Sequence, residues 1–330
     1  MRHLLAVDGS SLAHRAWHST RGDEDGERDG SVTAAFASML ATTWEHGPYA
    51  AVMIAFDHPV NHRRRDFPEY KAQRTATPDG LRSALDRTHD HLTQAGFAVR
   101  REEGVEADDL LAAASDGARS RTWVCDLLSS DRDMLALVGG TVRLLRPRQR
   151  FTDLAIEDEA AVRETYGVEP QHYIDLAALR GDVSDGLTGA PGIGPARAAR
   201  LVRDHGSVAD IYRALPDLPP SLARSLREGR DDVERNLLLM SPIPHLDVDL
   251  DDVAARGAPL AALAELVDDL GFPGAARRVR RVADGLSGGP GRASAQTAGK
   301  GAGATMSGDA AGTSMPPMPP PPDDRDAPPA

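Results

Sequence analysis

The chain has 330 residues, 41% of them hydrophobic, enough to bury a substantial core and too many for one minimal domain. Its single cysteine, Cys125, excludes an internal disulfide framework and any cysteine-rich zinc site, and no signal-peptide pattern opens the sequence, so a reducing cytoplasm is the expected setting. A net charge of −12 argues at first against a polyanionic partner, but many of the acids fall in motifs that suit bound cations, so global charge does not decide the point.

Residues 3–7, 51–56, 122–129 and 141–145 are short apolar runs, each flanked by polar or helical sequence, as expected for strands of a mostly parallel sheet. The first three lead into Asp8, Asp57 and Asp131, and in open α/β sheets ligands gather at the carboxyl ends of strands. Asp126 sits awkwardly inside the third run. The longest apolar run, residues 50–56, is far short of the roughly 20 residues a membrane-spanning helix needs. The acidic stretch 23–29, set among Gly22, Gly26 and Gly30, is expected to form a flexible loop, and residues 61–82 are basic and loop-like. Helices are expected over 85–95 and 107–118.

From about residue 168 helical patterning replaces strand-like alternation and persists to about 284, punctuated by Pro and Gly. Beyond 285 the composition turns to Gly, Pro, Ala, Ser and Met, which cannot bury enough apolar area to fold. The expected organisation is an α/β core over 1–167 containing a basic arch at about 61–90, a helical domain over 168–284, and a disordered tail over 285–330.

Asp8, Asp57, Glu106, Asp108, Asp109, Asp131, Asp133, Asp182 and Asp185 recur at predicted strand ends, at one helix start and in one turn. Converging carboxylates raise one another's pKa unless cations neutralise them, and all-oxygen ligands suit hard ions such as Mg2+ or Mn2+. Two such ions roughly 4 Å apart serve in-line phosphoryl displacement, so phosphodiester hydrolysis is the expected chemistry. Taken singly, Glu106, Asp108 and Asp109 could equally be helix-capping acids, and Asp131 and Asp133 turn residues.

Arg63, Arg64, Arg65, Lys71 and Arg74 crowd together with Phe67 and Tyr70 interleaved, a pattern suited to backbone phosphates and an unpaired base, or equally to a solvated basic loop. Further on, Gly192 and Gly194 lie between two helical patterns, with Arg197, Arg200 and Arg203 at one-turn spacing. Glycines let the backbone approach a phosphate, and the N–H groups opening the next helix can hold it, although a plain turn between packed helices would read the same way.

The segments VDGSSLAHRAWHS (7–19), FPEYKAQR (67–74), GVEADDLLA (104–112), SSDRDMLALV (129–138) and DLAALRGDVSDGLTGAPGIGPARAARLV (175–202) resemble the successive signature blocks of bacterial 5'-3' exonucleases and flap endonucleases, a family that includes the N-terminal nuclease domain of DNA polymerase I. The resemblance covers about residues 1–283. It implies a PIN-like α/β nuclease core, a mostly parallel sheet flanked by helices, with a helical helix-hairpin-helix domain. By the same resemblance, Asp8, Asp57, Glu106 and Asp108 serve one divalent ion, Asp131, Asp133, Asp182 and Asp185 serve the second, and Asp109 lies near both. Lys71 and Arg74 would approach the scissile phosphate, and Arg63, Arg64, Tyr70, Gly192, Gly194 and Arg197 would contact DNA, with K+ at the helix-hairpin-helix carbonyls. The expected substrate is DNA with a 5' flap, nick or free 5' end, cut by a cytoplasmic, nucleoid-associated monomer with a functional link to DNA polymerase. With no polymerase region following, a stand-alone nuclease is expected. The arginine-rich stretch 61–66 and the acidic insert depart from the family pattern. The main alternative is a non-catalytic, structure-specific DNA-binding module on the same scaffold; a ribonuclease on a related fold is a third.

Overall fold

Strands buried on both faces need helices on both sides of the sheet, and the apolar runs are arranged that way. The computed structural model describes residues 1–20, 30–72, 77–148 and 153–287. Strands β1 (His3–Asp8), β2 (Ala51–Ala55), β3 (Ala98–Arg100), β4 (Val124–Leu128), β5 (Val142–Pro147) and β6 (Leu154–Glu157) form a six-stranded sheet in the order β3-β2-β1-β4-β5-β6. Pairing is parallel throughout except for β6, which runs antiparallel to β5 at one edge. The sequence reading finds the four inner strands and misses the two edge strands, which are short and only half covered.

Between the strands run α1 (Gly9–Ser19), α2 (Ser31–Thr42), α3 (His62–Asp66), α4 (Asp79–Gln94) and α5 (Ala107–Ser120). After the sheet come α6 (Glu159–Tyr166), α7 (Tyr173–Arg180), a two-rung hairpin of β7 (Gly181–Asp182) and β8 (Leu187–Thr188), then α8 (Pro195–His205), α9 (Val208–Arg213), α10 (Pro220–Glu228) and α11 (Arg230–Met240). The chain continues through α12 (Leu250–Arg256), α13 (Leu260–Asp269) and α14 (Pro273–Ser287). Among the described residues no helix is long and apolar enough to cross a membrane.

Two apolar layers cover the sheet. On one face Leu4, Met53, Leu110, Leu127 and Leu144 continue without a break into Tyr173, Leu179, Leu201 and Leu239, so α5 and helices α7 to α11 share one core. On the other, Leu5, Ile54, Phe36 and Leu40 pack with Leu260, Leu263, Val267 and Val279. The end of the chain therefore departs from the expected arrangement. Helices α13 and α14 do not extend a separate helical domain; their apolar stripes return to cover α2 on the far face of the α/β core. The carbonyl of Gly257 accepts a bond from the Val52 N–H at 3.1 Å and ties the chain back to the sheet just before that return. Helix α14 also runs past the expected boundary at residue 285. The acidic insert 21–29 and residues 288–330 lie outside the described residues.

Asp126, misplaced in a strand by its charge, is fully buried and has partners that account for it. Tyr49 donates to its carboxylate at 2.7 Å, and Arg143, one strand over, grips it at 2.8 and 2.7 Å. Gly9 has a packing reason rather than a turn: a Cβ there would stand 2.7 Å from the Phe56 ring and 2.9 Å from the Ala55 carbonyl. Its absence lets α1 leave directly from Asp8, against β2.

Candidate active site

Asp8 ends β1 and caps α1, its Oδ1 accepting the Ser11 N–H at 2.8 Å while Oδ2 accepts from the Ser129 hydroxyl at 2.9 Å. Asp57 stands just past β2; its Oδ1 accepts the Ala107 N–H at 2.8 Å, and its own N–H is held by Ser10 Oγ at 2.9 Å. The N-termini of α1 and α5 thus point their positive ends at the same patch of acid. Glu106 and Asp108 open α5. Asp131 follows β4, with its Oδ1 accepting the Asp133 N–H at 2.8 Å. Asp182 and Asp185 come from the β7-β8 hairpin, where Ser184 donates to Asp182 Oδ1. At that hairpin the backbone strands nearly touch: a Cβ on Gly181 would lie 2.5 Å from the Gly189 nitrogen.

Two sequence-distant groups are thereby brought to one cleft, with Tyr70, Glu106, Asp108, Asp131 and Asp133 in its wall. Their electrostatics show the convergence. Burial first, then the charge of Asp57, push Asp8 up to about 7. Burial and the charges of Asp131 and Asp8 hold Asp108 well above the usual carboxylate range. Burial raises Asp131 against the opposing pull of Lys71, and burial with the charges of Asp131, Asp182 and Asp185 holds Asp133 well above its ordinary value. Such a pocket is a poor home for bare carboxylates and a good one for hard cations. Among the described residues no three His, Cys, Asp or Glu side chains are gathered tightly enough to make a ready cage.

Lys71 sits amid these acids. Its Nζ stands 3.5 Å from Glu106 Oε1 and 4.6 Å from the centre of the Tyr70 ring. Its backbone is left-handed, with φ 57°, and its N–H is bonded to the Asp185 carbonyl at 3.3 Å. That conformation is uncommon for a residue with a side chain and costs about 1 kcal/mol or more, so the surrounding contacts hold it in place.

Three expected roles are redirected. Arg63, expected on DNA, is 3% exposed and spends every guanidinium N–H inside the protein. Nη1 donates to Glu106 at 2.9 Å and to Asp109 at 2.8 Å, Nη2 to Asp109 at 2.8 Å and the Ser241 carbonyl at 2.9 Å, and Nε to the Leu239 carbonyl at 2.8 Å. Asp109, expected near the metals, is fully buried; beyond Arg63 its oxygens accept the N–H groups of Glu106 at 3.0 Å and Ile243 at 2.9 Å. Burial alone would raise it, but the bonds and charge of Arg63 outweigh that and hold it below the ordinary range. It is the capping acid that composition alone allowed. Tyr70 is 6% exposed, a wall of the cleft rather than an open platform for a base. Arg64 is exposed, as are Gly192, Gly194 and Arg197, whose guanidinium donates to the Gly192 carbonyl at 2.7 Å. Arg74 lies outside the described residues. Sequence reasoning missed Ser10, Asn61 and Ser129, which hold the acids; the run of serines after Asp8 and before Asp131 is the signal that could have found two of them.

The family models that match describe two consecutive pieces: "5'-3' exonuclease, N-terminal resolvase-like domain" over residues 3–167 and "5'-3' exonuclease, C-terminal SAM fold" over 168–259. The chain belongs to the 5'-3' exonuclease family. Members of this family are hydrolytic nucleases, and the carboxylate cleft is the candidate site for that chemistry. The 5'-3' exonuclease of Mycoplasma pneumoniae is 27% identical over 295 residues, covering 86% of this chain and all of that protein. DNA polymerase I of Mycobacterium bovis is 35% identical over 237 residues, 71% of this chain and 26% of the polymerase, so the chain spans about a quarter of the length of that relative. Among solved structures, the bacteriophage T5 D15 protein crystallised with metal ions shares the fold, with a TM-score of 0.59 and 23% identity over 86% of this chain and all of that one. The D15 flap endonuclease has also been crystallised with DNA and metal ions.

Proposed function

We propose that this nuclease hydrolyses phosphodiesters near the 5' end of one DNA strand at flaps, nicks or gaps. What supports the reading is that Glu106, Asp108, Asp131 and Asp133 line one cleft, that the charges of Asp8, Asp57, Asp182 and Asp185 act on them, and that Lys71 lies against Glu106. Mg2+ or Mn2+, held by the first four acids and by the last four, would supply Lewis-acid activation of water and of the leaving oxygen. Lys71 faces the scissile phosphate and offsets the charge that develops on it. Its preset backbone spares the side chain a search at the moment of reaction. Arg74 is assigned the same task by resemblance.

Arg64, at the base of the arch, holds the phosphate backbone of the 5' strand. The duplex behind the cut rests on the loop at 192–194, exposed at Gly192 and Gly194, that leads into α8, contacts that read no sequence. K+ at this loop would have to compete with Arg197 for the Gly192 carbonyl. The protein is read as a cytoplasmic monomer that acts alongside a DNA polymerase.

The test is cleavage of 5'-labelled flap and nicked duplexes with Mg2+, Mn2+ or chelator, with binding followed on the same substrates. Ion-dependent release of short 5' products is expected, and folded Asp131→Ala and Asp182→Ala variants should lose it. Tight binding without cleavage in either ion would replace this reading with that of a non-catalytic DNA-binding module.

A further inference from the structure

The two halves of the acid cleft meet at a single helix. At the C-terminal end of α11, the carbonyls of Leu239 and Ser241 take two of the five donors of Arg63, and the other three hold Asp109 and Glu106 of the first half. One turn earlier on the same helix, Asn236 is fully buried and donates to the carbonyls of Ala178 at 3.1 Å and Thr188 at 2.9 Å. Those two residues flank the hairpin that carries Asp182 and Asp185. Met240 and Pro242, at the end of α11, line the cleft itself. At its start, Gly229 lies so close to the 189–194 loop that a Cβ would stand 2.5 Å from the Ala190 Cα.

We infer that α11 is the strut that sets the spacing of the two acid groups, and that Arg63 and Asn236 are its positioning residues. The chemistry of Asn236 favours this over plain stabilisation. Its Oδ1 is buried without a partner, a cost that an apolar side chain would avoid, so the side chain is retained for the two carbonyls it holds. Arg63 is likewise placed where the arch base, α5 and α11 join, and a lysine cannot reproduce its fork. The consequence is that the helical part of the molecule controls ion binding and cleavage through α11.

The inference rests on the nuclease reading above, and the experiment separates the two. Arg63→Lys, Asn236→Leu and the double variant are made in the full chain. Mn2+ binding is measured by calorimetry without DNA, flap binding in Ca2+, single-turnover cleavage across Mg2+ concentrations, and thermal melting throughout. Each single variant should weaken Mn2+ binding and slow cleavage about 10- to 100-fold, the usual effect of removing support behind a metal ligand, with flap affinity changed less than about threefold. The double variant should be little worse than the poorer single one, because either change releases the same strut. Unchanged Mn2+ binding in folded variants, effects that multiply in the double variant, or flap affinity falling in step with rate would each overturn the inference. If the parent chain binds Mn2+ but cuts no DNA, the nuclease reading fails, while the Mn2+ data still decide the role of α11.

Discussion

The two acid groups of the cleft are built differently. Asp8, Asp57 and Glu106 are fixed by partners far away in sequence: Ser129 for Asp8, Ala107 for Asp57, and Asn61, Arg63 and Lys71 for Glu106. Asp131 and Asp182 are held by neighbours two residues on, Asp133 and Ser184. The first group is part of the sheet and of the helix starts that rest on it. The second is carried on turns, whose shape depends on what packs behind them. Preorganisation is therefore built into one half and borrowed by the other.

The strongest way to break this contrast is to remove an acid from each half. Asp131→Ala and Asp108→Asn should each lower cleavage by about a thousandfold, the equivalent of about 4 kcal/mol of lost charge stabilisation. Only the Asp108 change should also move the thermal midpoint of the metal-free protein, upward, since Asn removes a crowded carboxylate, whereas Asp131→Ala also removes the acceptor that holds the Asp133 N–H. Rates and melting curves on both variants check this, and equal shifts in melting would erase the distinction.

Lys71→Met should slow cleavage about 100- to 1,000-fold with little loss of DNA affinity, as expected when one charge that offsets a developing anion is removed. A loss confined to affinity would move Lys71 from the chemistry to plain DNA holding.

The pH dependence sharpens the comparison without any substitution. The folded pKa of Asp8 is raised to about 7, above the ordinary carboxylate value of about 3.9, and Asp108, Asp131 and Asp133 shift the same way. Such groups favour the folded state fully below the unfolded pKa, and that advantage is lost as pH rises through the folded one. In chelator the melting temperature should fall between about pH 4 and pH 8, and Mg2+ should restore most of the loss at the upper end. A flat profile in chelator would mean the acids do not crowd one another.

The smallest effects belong to the exposed cations. Arg64→Ala or Arg197→Ala should weaken flap binding a few-fold and reduce the slope of log affinity against log salt by about one. A change in cleavage at saturating DNA would place either residue nearer the chemistry.

The inner strands, the acids at their ends and the glycine turn before α8 were legible in the sequence because each rests on a local pattern: an apolar run, a charge at its end, a residue that allows close backbone approach. Even the order of the two family blocks follows from motifs read along the chain. Arg63 and Asp109 were misread for the same reason: adjacent to basic and acidic neighbours, they look like members of a patch and a cluster. Their partners, Leu239, Ser241 and Ile243, lie more than a hundred residues away, and no local pattern announces a bond across that distance. The burial of Asp126 and the return of α13 and α14 to the sheet were likewise decided by which surfaces had to be covered once the chain closed. The sequence by itself determined which acids stand at the ends of strands, at the start of α5 and in the β7-β8 turn. Tertiary structure alone decided which charges face the cleft and which are spent holding it open, because a carboxylate's role depends on its partners rather than on its place in the chain.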